Sequence, residues 1–561
     1  MARSGFISVI TGLLLCISAT ASTFTVTTTE DRKAGSLRWA VEQANAETEV
    51  SNIVFDLPAG SVVALDSTID IYSSMIFDGK SGDGRIEISA SDPWYIFFRL
   101  KNVELDSVVF RNLNVYEPKL ETEPYSYLKH NGFAEIDTTA GLLSIKDCHL
   151  SKFQDMVIVR GDRIDINVAN CLCDTMLYDF FACDMVAYNY TSWSSLVIDN
   201  SKFIHTRRGG DLHNGGSVKN TTLHKFTNVY AEDIYGFSYG QAAKNVWENC
   251  TFYKLKHAAI DLGCDNRCIS EILVNNCKFI ECGYYVFHYT LDGSNVVFTN
   301  NIVYGSGEQD FFCARDYFTN HAGTLRIENN IFGDANHKNT GLITDATNTI
   351  IRNNVIYGTN AICNYMSDDT FKEYSFAIFD QGSDTLLIEN NLFGTDNEQF
   401  IPNEHGDIWL ESEWLLDDWR YYGWFNDYDY NLVPQITVKG NTFMRSSPKA
   451  IRIDSAKINI TFTENIFLET KDSAICNIKP ISIPAITNAK RRKDDIVITG
   501  KVDSVATIEL FHTSGAPQTA EKFLGSTQTN ADGDFTISVP FSLVGEKEKI
   551  CFTATATFQA P

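Results

Sequence analysis

The chain has 561 residues, of which 44% are hydrophobic and 12% aromatic, so it can bury a large core. Its formal net charge of −25, from 71 acidic and 46 basic residues, argues against a nucleic-acid partner, because such binding depends on Lys and Arg contacts to phosphates. The same charge argues against adhesion to an anionic membrane. An acidic glycan is compatible with it, since a local basic cleft can exist on an acidic protein.

Residues 1–21 have the organisation of a secretory signal peptide. Arg3 forms the charged n-region, residues 6–17 are apolar, and Ala19-Thr20-Ala21 is an A-x-A cleavage site. The apolar stretch is shorter than the about 18–25 residues that a transmembrane helix needs, and no later segment is long enough to cross a membrane. We therefore expect a secreted or cell-surface protein, associated with the outer membrane, whose mature chain has no membrane span.

Residues 22–78 are predicted to form an N-terminal cap and the first coils of a repeat protein. An alternating strand at 24–29 and another at 51–56 flank a short helix with Ser36 as its N-cap. A solenoid needs such a cap because its open end exposes core and unpaired backbone. The residues expected on the buried face of this helix are Leu37, Ala40, Val41 and Ala44.

From about Asp147 to Phe467 the chain repeats a short β-type segment in which an Asn stands three residues before an apolar residue. Asp147, Gly440 and Glu464 fill this position, which we call the corner, in weaker copies. Spacings of 27, 24, 29, 24 and 37 residues follow Asn249 and indicate a repeat architecture. The predicted corner asparagines are Asn170, Asn200, Asn220, Asn249, Asn276, Asn300, Asn329, Asn353 and Asn390.

These units are rich in Val, Ile, Phe and Thr, and they lack a sustained helical period. We therefore predict an all-β fold in which residues 79–479 form a right-handed parallel β-helix of about 13–15 coils, roughly 60–75 Å long. Each corner Asn is expected to adopt a left-handed backbone and to bond its amide to the corners above and below, in a buried ladder. The cysteines after the corner are expected to be buried and free, and they are Cys148, Cys171, Cys250 and Cys277.

The N-terminal run T-V-T-T-T-x-D…G-S-L-R-x-A-V-x-x-A-N…I-V-F-D resembles the cap of secreted, surface-associated parallel β-helix proteins, similar to the polymorphic outer-membrane proteins of the pectate-lyase-like superfamily. The match is close over residues 24–78, and the looser β-helix pattern extends it to about Phe467. The family's leading signature is represented by Gly35-Ser36-Leu37-Arg38, without its Cys. The resemblance implies export and a β-helix, and it implies no catalytic residue.

Two interruptions and a C-terminal module complete the predicted organisation. Residues 116–136 and 396–434 are predicted insertions that leave the β-helix, and 480–495 a linker. Alternating strands over 496–561 predict a β-sandwich that resembles the immunoglobulin-like modules found behind secreted bacterial β-helices. Its end at Pro561 comes earlier than in most such modules, which leaves open a truncated C-terminus.

A polar column is the first candidate site. Glu232, Asp261 and His288 follow three successive predicted corners by twelve residues, so they are expected to stack at strand spacing. A carboxylate beside a His can act as a general acid/base pair. A Gly-rich loop nearby holds Arg207, Arg208 and His213, and its arginines are suited to neutralise a uronate carboxylate. The alternative, which we favour, is a solvated polar stripe.

The candidate catalytic residues are Arg208, His213, Asp261 and His288. Arg207 and Glu232 are candidate substrate-binding residues, together with four tryptophans of the second insertion. These tryptophans can form a platform on which sugars stack, or they can pack as a lid on the β-helix. They are Trp409, Trp414, Trp419 and Trp424.

A row of acids follows the corners by sixteen residues and raises the question of a metal. Stacked carboxylates can hold Ca²⁺, but the Gly and short polar runs around them are typical of turns, which we favour. We therefore assign no cofactor and no metal ligand, with Ca²⁺ as the alternative. The row consists of Asp265, Asp292, Asp316, Asp345 and Asp369.

Three functions remain open, because a fold alone does not determine function. The first is a surface protein, expected to be a monomer, that binds polysaccharide or a cell-surface glycan along one face. The second is a polysaccharide lyase or glycoside hydrolase that uses the region of Arg208, Asp261 and His288. The third is a structural adhesin or stalk without a small-molecule site.

Overall fold

The structure, a computed structural model, describes residues 21–557 except 92–95, 102–106, 119–130, 138–140, 161–162, 177–179, 184–192, 207–222, 235, 240–241, 257, 263–269, 284, 291–293, 306–311, 316–322, 337–340, 345, 360–375, 381–382, 397–398, 411–432, 447–448, 455–457, 471–473, 478–482, 516–518 and 546–549. The backbone alone is described at 182–183, 193–194, 206, 238–239, 261, 285, 288–290, 312–315, 343 and 477.

The chain forms the predicted right-handed parallel β-helix, in which each complete coil contributes one strand to each of three faces. Sheet 1 has 16 strands, so its 15 steps at about 4.8 Å give a length of about 72 Å. Its strands are Thr23–Val26, Ser51–Phe55, Met75–Asp78, Val108–Arg111, Gly141–Lys146, Ile164–Ala169, Trp193–Asp199, Leu223–Thr227, Lys244–Glu248, Glu271–Asn275, Asn295–Thr299, Thr324–Glu328, Asn348–Arg352, Thr385–Glu389, Gln435–Lys439 and Asn459–Thr463.

Sheet 2 follows sheet 1 around each coil. Its parallel strands are Val62–Leu65, Gly84–Ala90, Leu113–Tyr116, His149–Ser151, Leu172–Met176, Lys202–Thr206, Tyr230–Glu232, Thr251–Tyr253, Lys278–Ile280, Ile302–Tyr304, Ile331–Phe332, Val355–Ile356, Leu392–Phe393, Thr442–Met444 and Ile466–Leu468. The short strand Lys80–Ser81 pairs antiparallel with Gly84–Ala90.

The third face of the coil is divided into two sheets. The strands of sheet 3a are Ile69–Ile71, Ile96–Leu100, Gly132–Ile136, Asp155–Val159 and Phe181–Cys183. The strands of sheet 3b are Ser238–Tyr239, Ala258–Leu262, Tyr285–Thr290, Phe312–Arg315, Leu342–Thr344, Ile378–Asp380, Ile408–Leu410, Ile451–Ile453 and Ile475–Asn477. Apolar side chains from all three faces meet in one continuous core inside the coils.

The N-terminal cap has the predicted helix, which spans Leu37–Ala44. The Ser36 hydroxyl accepts the backbone N–H of Trp39 at 3.1 Å, and the four predicted apolar residues are buried. Arg38 donates to the carbonyl oxygens of Ser67 and Thr68 at 2.8 and 2.9 Å and pairs with Asp31. The arginine of the Gly-Ser-Leu-Arg motif therefore ties the cap to the first coil. Among the described residues, no helix is long and apolar enough to cross a membrane.

The corner between sheets 1 and 2 has the predicted left-handed backbone. Asp147, Glu464, Gly440 and the described predicted asparagines have φ between 44° and 65°. In the coil of Leu223–Thr227 the corner is Asn228, with φ of 55°, and not Asn220, which lies outside the described residues. The prediction of Asn220 was wrong because Asn220 stands three residues before Leu223, where the sheet 1 strand begins, whereas the corner follows that strand.

The corner amides bond along the solenoid, but they are exposed. Asn200 donates to Asn170 at 2.8 Å and Asn276 to Asn249 at 2.7 Å, and both bonds face solvent. The buried ladder lies one residue later, where Asn330 donates to Asn354 at 3.0 Å. The buried asparagines at this position are Asn301, Asn330, Asn354, Asn391, Asn441 and Asn465.

Cysteines occupy the same position in earlier coils, and they are buried and free as predicted. The Cys148 Sγ lies 3.6 Å from the Phe110 carbonyl oxygen, and the Cys277 Sγ lies 3.6 Å from that of Trp247. Each later Asn makes the same contact with its amide, as Asn330 does to the Phe298 carbonyl at 2.9 Å. Thiols and amides therefore serve one structural role in successive parts of the solenoid.

Both predicted insertions contain a coil strand. Gly132–Ile136 pairs with its neighbours in sheet 3a, and Ile408–Leu410 pairs on both sides in sheet 3b. The described part of each segment thus returns to the β-helix instead of remaining outside it.

The C-terminal region is a sandwich of two antiparallel sheets with an apolar core between them. One strand, Ala485–Arg492, lies entirely inside the segment predicted as a linker and pairs with Asp495–Lys501, so the prediction of a linker there was wrong. A short 3₁₀ helix spans Phe541–Leu543. The first sheet contains Ala485–Arg492, Asp495–Lys501 and Asp534–Pro540, and the second contains Lys522–Gln528, Thr507–Thr513 and Cys551–Thr557.

Candidate functional site

The predicted polar column lies in sheet 3b. Asp261 and His288 are direct register partners in neighbouring strands, as the repeat predicts. The adjacent Ile260, Leu262 and Phe287 are buried in the core. The structure describes the backbone of Asp261 and His288. It therefore shows that these two residues stand side by side in neighbouring strands.

Glu232 does not belong to this column. It ends the sheet 2 strand Tyr230–Glu232 and pairs with Tyr253, while Tyr239 is the register partner of Asp261. The misplacement follows from counting from Asn220 instead of Asn228. The Glu232 carboxylate accepts the Tyr230 hydroxyl at 2.8 Å, and burial together with this bond raises the pKa of Tyr230 to about 12.

Several candidates lie outside the described residues. They are Arg207, Arg208 and His213 of the Gly-rich loop, the acids Asp265, Asp292, Asp316, Asp345 and Asp369, and the tryptophans Trp414, Trp419 and Trp424. Within the described ranges, no group of three or more His, Cys, Asp or Glu side chains is arranged to hold a metal ion.

Trp409 lies at the centre of a stack on the outer side of sheet 3b. Its ring is 4.3 Å from that of Phe379 at an angle of 18°, and the Arg452 guanidinium carbon is 4.7 Å from its centroid. Phe379, Trp409 and Arg452 are register partners on consecutive coils, and the residues that alternate with them belong to the apolar core, except the buried Asp380. Trp409 is 3% exposed, so its ring faces pack on neighbours instead of lying open as a platform.

Charged groups lie at the end of the stack. Arg452 forms an ion pair with Asp454, and both side chains are partly exposed. The Lys449 ammonium lies 3.0 Å from the Cys476 thiol, and Cys476 is the register partner of Arg452. Two cations therefore lie at the Arg452 end of the stack.

Two carboxylates stand where the strand of Phe379 ends. Asp380 is buried and accepts hydrogen bonds from the Thr344 hydroxyl at 3.0 Å and the Ser383 hydroxyl at 2.5 Å. Asp384 is half-buried, and burial together with the neighbouring Asp380 raises its pKa to about 6. A carboxyl group with a pKa near neutrality can donate or accept a proton at physiological pH.

A third carboxylate lies at the start of the strand of Trp409. Asp407 is buried and accepts a hydrogen bond from the Asn403 amide at 2.7 Å and another from the Ser446 hydroxyl. Burial raises the pKa of Asp407 to about 7, against the effect of these two bonds. Because its oxygens are enclosed by these partners, Asp407 acts within the fold.

Sequence reasoning missed Phe379, Asp380, Asp384 and Arg452. Arg452 carried a usable signal, because it follows the corner Gly440 by twelve residues, as His288 follows Asn276. Phe379 carried none, since it follows its corner Asn353 by 26 residues instead of twelve.

Comparisons with known proteins agree with the fold. The profile of the right handed beta helix region family matches residues 217–393. No curated protein matches the sequence.

Three solved structures similar to this chain illustrate the likeness, which concerns the fold alone. A mutant tailspike protein of E. coli bacteriophage HK620, in complex with a pentasaccharide, has 9% identity and a TM-score of 0.38, over 93% of this chain and 88% of that one. The catalytic domain of a GH87 alpha-1,3-glucanase, with tetrasaccharides, has 12% identity and a TM-score of 0.32, over 81% and 66%. The A-module of the Azotobacter vinelandii mannuronan C-5 epimerase AlgE6 has 10% identity and a TM-score of 0.26, over 79% and 94%.

Proposed function

We propose that the protein binds polysaccharide along the outer side of sheet 3b. The observation that carries the proposal is the stack of Phe379, Trp409 and Arg452 on consecutive coils. Because Trp409 is enclosed, the groups that can meet a ligand are the partly exposed Phe379 ring and the Arg452 guanidinium that Trp409 supports. Sugars present apolar C–H faces ringed by hydroxyl groups, and a ring and a fixed guanidinium suit them. Because Arg452 is held by Trp409 and Asp454, little side-chain entropy is lost when it donates to a ligand.

The parallel sheet supports a polymer as the ligand. Sheet 3b presents successive side chains at about 4.8 Å intervals along the solenoid axis. A repeating chain that lies along this axis meets one coil after another, from the column of Asp261 and His288 toward Arg452. Each contact is weak, and several in a row give useful affinity.

A lyase or hydrolase is the second candidate, and Asp384 favours it. Its raised pKa leaves a mixture of protonated and ionised forms near pH 6, which general acid/base catalysis requires. In this case the buried Asp380, held by hydrogen bonds from Thr344 and Ser383, is a positioning residue whose charge helps to raise the pKa of Asp384.

The test is calorimetric titration of the full chain with neutral and acidic polysaccharides, together with Trp emission. Arg452→Ala is expected to weaken binding about tenfold or more, since both the guanidinium donors and the support for Trp409 are lost. Arg326→Ala is the matched control, because Arg326 lies on sheet 1 and pairs with Glu328 two residues on, as Arg452 pairs with Asp454.

The same mixtures are analysed for released reducing ends and unsaturated products. Turnover that is lost in Asp384→Asn while binding persists would favour the enzyme. Binding without turnover would favour the binding protein over the enzyme. A chain that binds none of the polysaccharides, or an Arg452→Ala variant that binds like the parent, contradicts the proposal and favours a stalk or adhesin.

A further inference from the structure

The last six coils of sheet 2 carry an apolar stripe on their outer side. The inward residues of these strands, such as Phe332 and Phe393, belong to the core, and the residues beside them face outward. Ile331 is 39% exposed and Tyr357 is 9% exposed, and the other stripe residues lie between. The stripe consists of Ile302, Tyr304, Ile331, Val355, Tyr357, Leu392, Met444, Ile466 and Leu468, with Thr442 among them.

Charge is distributed unevenly along sheet 2. Earlier coils place Asp174, Lys202, Glu232 and Lys278 at outward positions. The stripe itself holds no Asp, Glu, Lys or Arg, although the chain has a net charge of −25. A patch of this kind is where two copies of one acidic protein can approach without strong repulsion.

The two long borders of the stripe are polar. On one side run the corner residues, including the exposed Asn329 and Asn353, and these are neutral except for Glu464 in the last coil. On the other side lie Asp334 and the exposed ion pair of Arg445 with Glu469, whose charged atoms are 2.8 Å apart. An apolar centre with a polar rim is the arrangement found in protein–protein interfaces.

We propose that the apolar stripe is the contact between two copies of this chain. Most of the stripe consists of side chains such as Ile331, Val355 and Leu392, which have no group that can bond a sugar hydroxyl. Hydroxyl groups are confined to Tyr304, Tyr357 and Thr442, so polysaccharide is a poor occupant. A second stripe has the same strand spacing, so the aliphatic rows of two copies can interdigitate face to face. The contact is then isologous, with a twofold axis through the stripe.

The size of the stripe sets the expected strength. From Ile302 to Ile466 it spans five coil steps, about 24 Å, and with its borders the face is about 16 Å wide, or roughly 400 Å². A standard stable interface uses about 800 Å² per partner. The structure therefore predicts a reversible, concentration-dependent dimer, in contrast to the monomer expected from the sequence.

Sedimentation velocity of the full chain over a concentration series tests the proposal. The mass is expected to rise from one chain to two. Ile331→Lys combined with Val355→Lys is expected to raise the dissociation constant at least tenfold, because each lysine would be buried without a partner in the dimer. Ile350→Lys is the matched control, since Ile350 is a half-buried aliphatic residue on the outer side of sheet 1, in the same coil as Val355.

Leu392→Thr is a second variant that keeps strand propensity and adds one hydroxyl, so it is informative if the lysine variants fail to fold. It is expected to weaken the dimer without changing the circular dichroism spectrum. A monomer at every concentration overturns the proposal, and so does a dimer that persists in folded variants. If hydrogen exchange in the stripe slows only when neutral polysaccharide or zwitterionic vesicles are added, the stripe binds those partners and not a second copy. Because the stripe lies on sheet 2, failure here leaves the sheet 3b proposal standing.

Discussion

At the scale of single residues, the corner and the position after it have separate roles, and the repeated sequence pattern does not distinguish them. Asn329 and Asn330 stand side by side, yet the first is exposed with φ of 58° and the second is buried. The sequence predicted the left-handed corner, because Asn tolerates that backbone. It assigned the buried ladder to the wrong member of the pair, since an Asn-Asn dipeptide does not reveal which amide points inward.

Asn330→Leu is expected to destabilise the protein by about 2–4 kcal/mol. The leucine would leave the Phe298 carbonyl and the Asn301 N–H without their partners at 2.9 and 2.8 Å, and the Asn354 amide oxygen would keep only the backbone N–H of residue 330. Asn329→Gly, which keeps the left-handed backbone, is expected to change stability by less than about 1 kcal/mol. Urea unfolding of both variants measures the difference, and equal effects would contradict a buried ladder at Asn330.

A buried carboxyl gives a prediction about pH. The pKa of Asp407 is raised from 3.8 to about 7, so the folded state holds its proton more tightly than the unfolded chain does. The stability that this proton confers is present below about pH 4 and is lost as pH rises toward 7, at about 1.4 kcal/mol per unit.

Asp407→Asn should remove this loss. Asparagine can accept from Asn403 and donate to Ser446, so the variant is expected to have a flatter stability profile between pH 4 and 7 and a higher stability at pH 8. Chemical unfolding at several pH values measures the slope. A variant whose profile is parallel to that of the parent would show that another group carries the dependence.

At the scale of elements, prediction succeeded where the chain keeps its period and failed where insertions separate short strands. The cap helix was predicted correctly because its sequence contains both an N-cap, Ser36, and four apolar residues on one face. Asp261 and His288 were correctly paired because no insertion interrupts their two coils before that point. Ile408–Leu410 was read as part of a loop, because a strand of three residues beside a long aromatic segment has no detectable alternation.

The candidate site follows the same rule. Its aromatic and acidic members come from coils in which the distance from the corner varies, so a fixed offset cannot find them. Their proximity arises from register between strands, such as Phe379 with Trp409, that are 30 residues apart in sequence. Repeats therefore predict a fold more securely than they predict a site built between their insertions.

At the scale of the whole molecule, the C-terminal sandwich closes the end of the β-helix. The backbone N–H and carbonyl of Phe467 in the last coil pair with those of Ala520 at 3.0 and 2.7 Å. Phe511 and Ala520 belong to the same apolar core as the coils. The cap helix packs on the core at the other end, so the apolar core is covered at both ends.

Glu509 is the polar link in this closure, and it gives the last prediction. Both of its carboxylate oxygens accept the N–H of Glu464, the final corner, at 2.9 and 3.0 Å, and burial raises its pKa. Glu509→Ala would leave that N–H without its acceptor, at a cost of about 1–3 kcal/mol. Hydrogen exchange in residues 459–468 is therefore expected to accelerate, while coils near Asn276 keep their protection. Asp534→Ala is the control, because it removes an exposed pairing with Lys501, 3.6 Å away, inside the sandwich. If exchange at 459–468 is unchanged in Glu509→Ala, or if it accelerates equally in the control, the sandwich does not close the solenoid through this carboxylate.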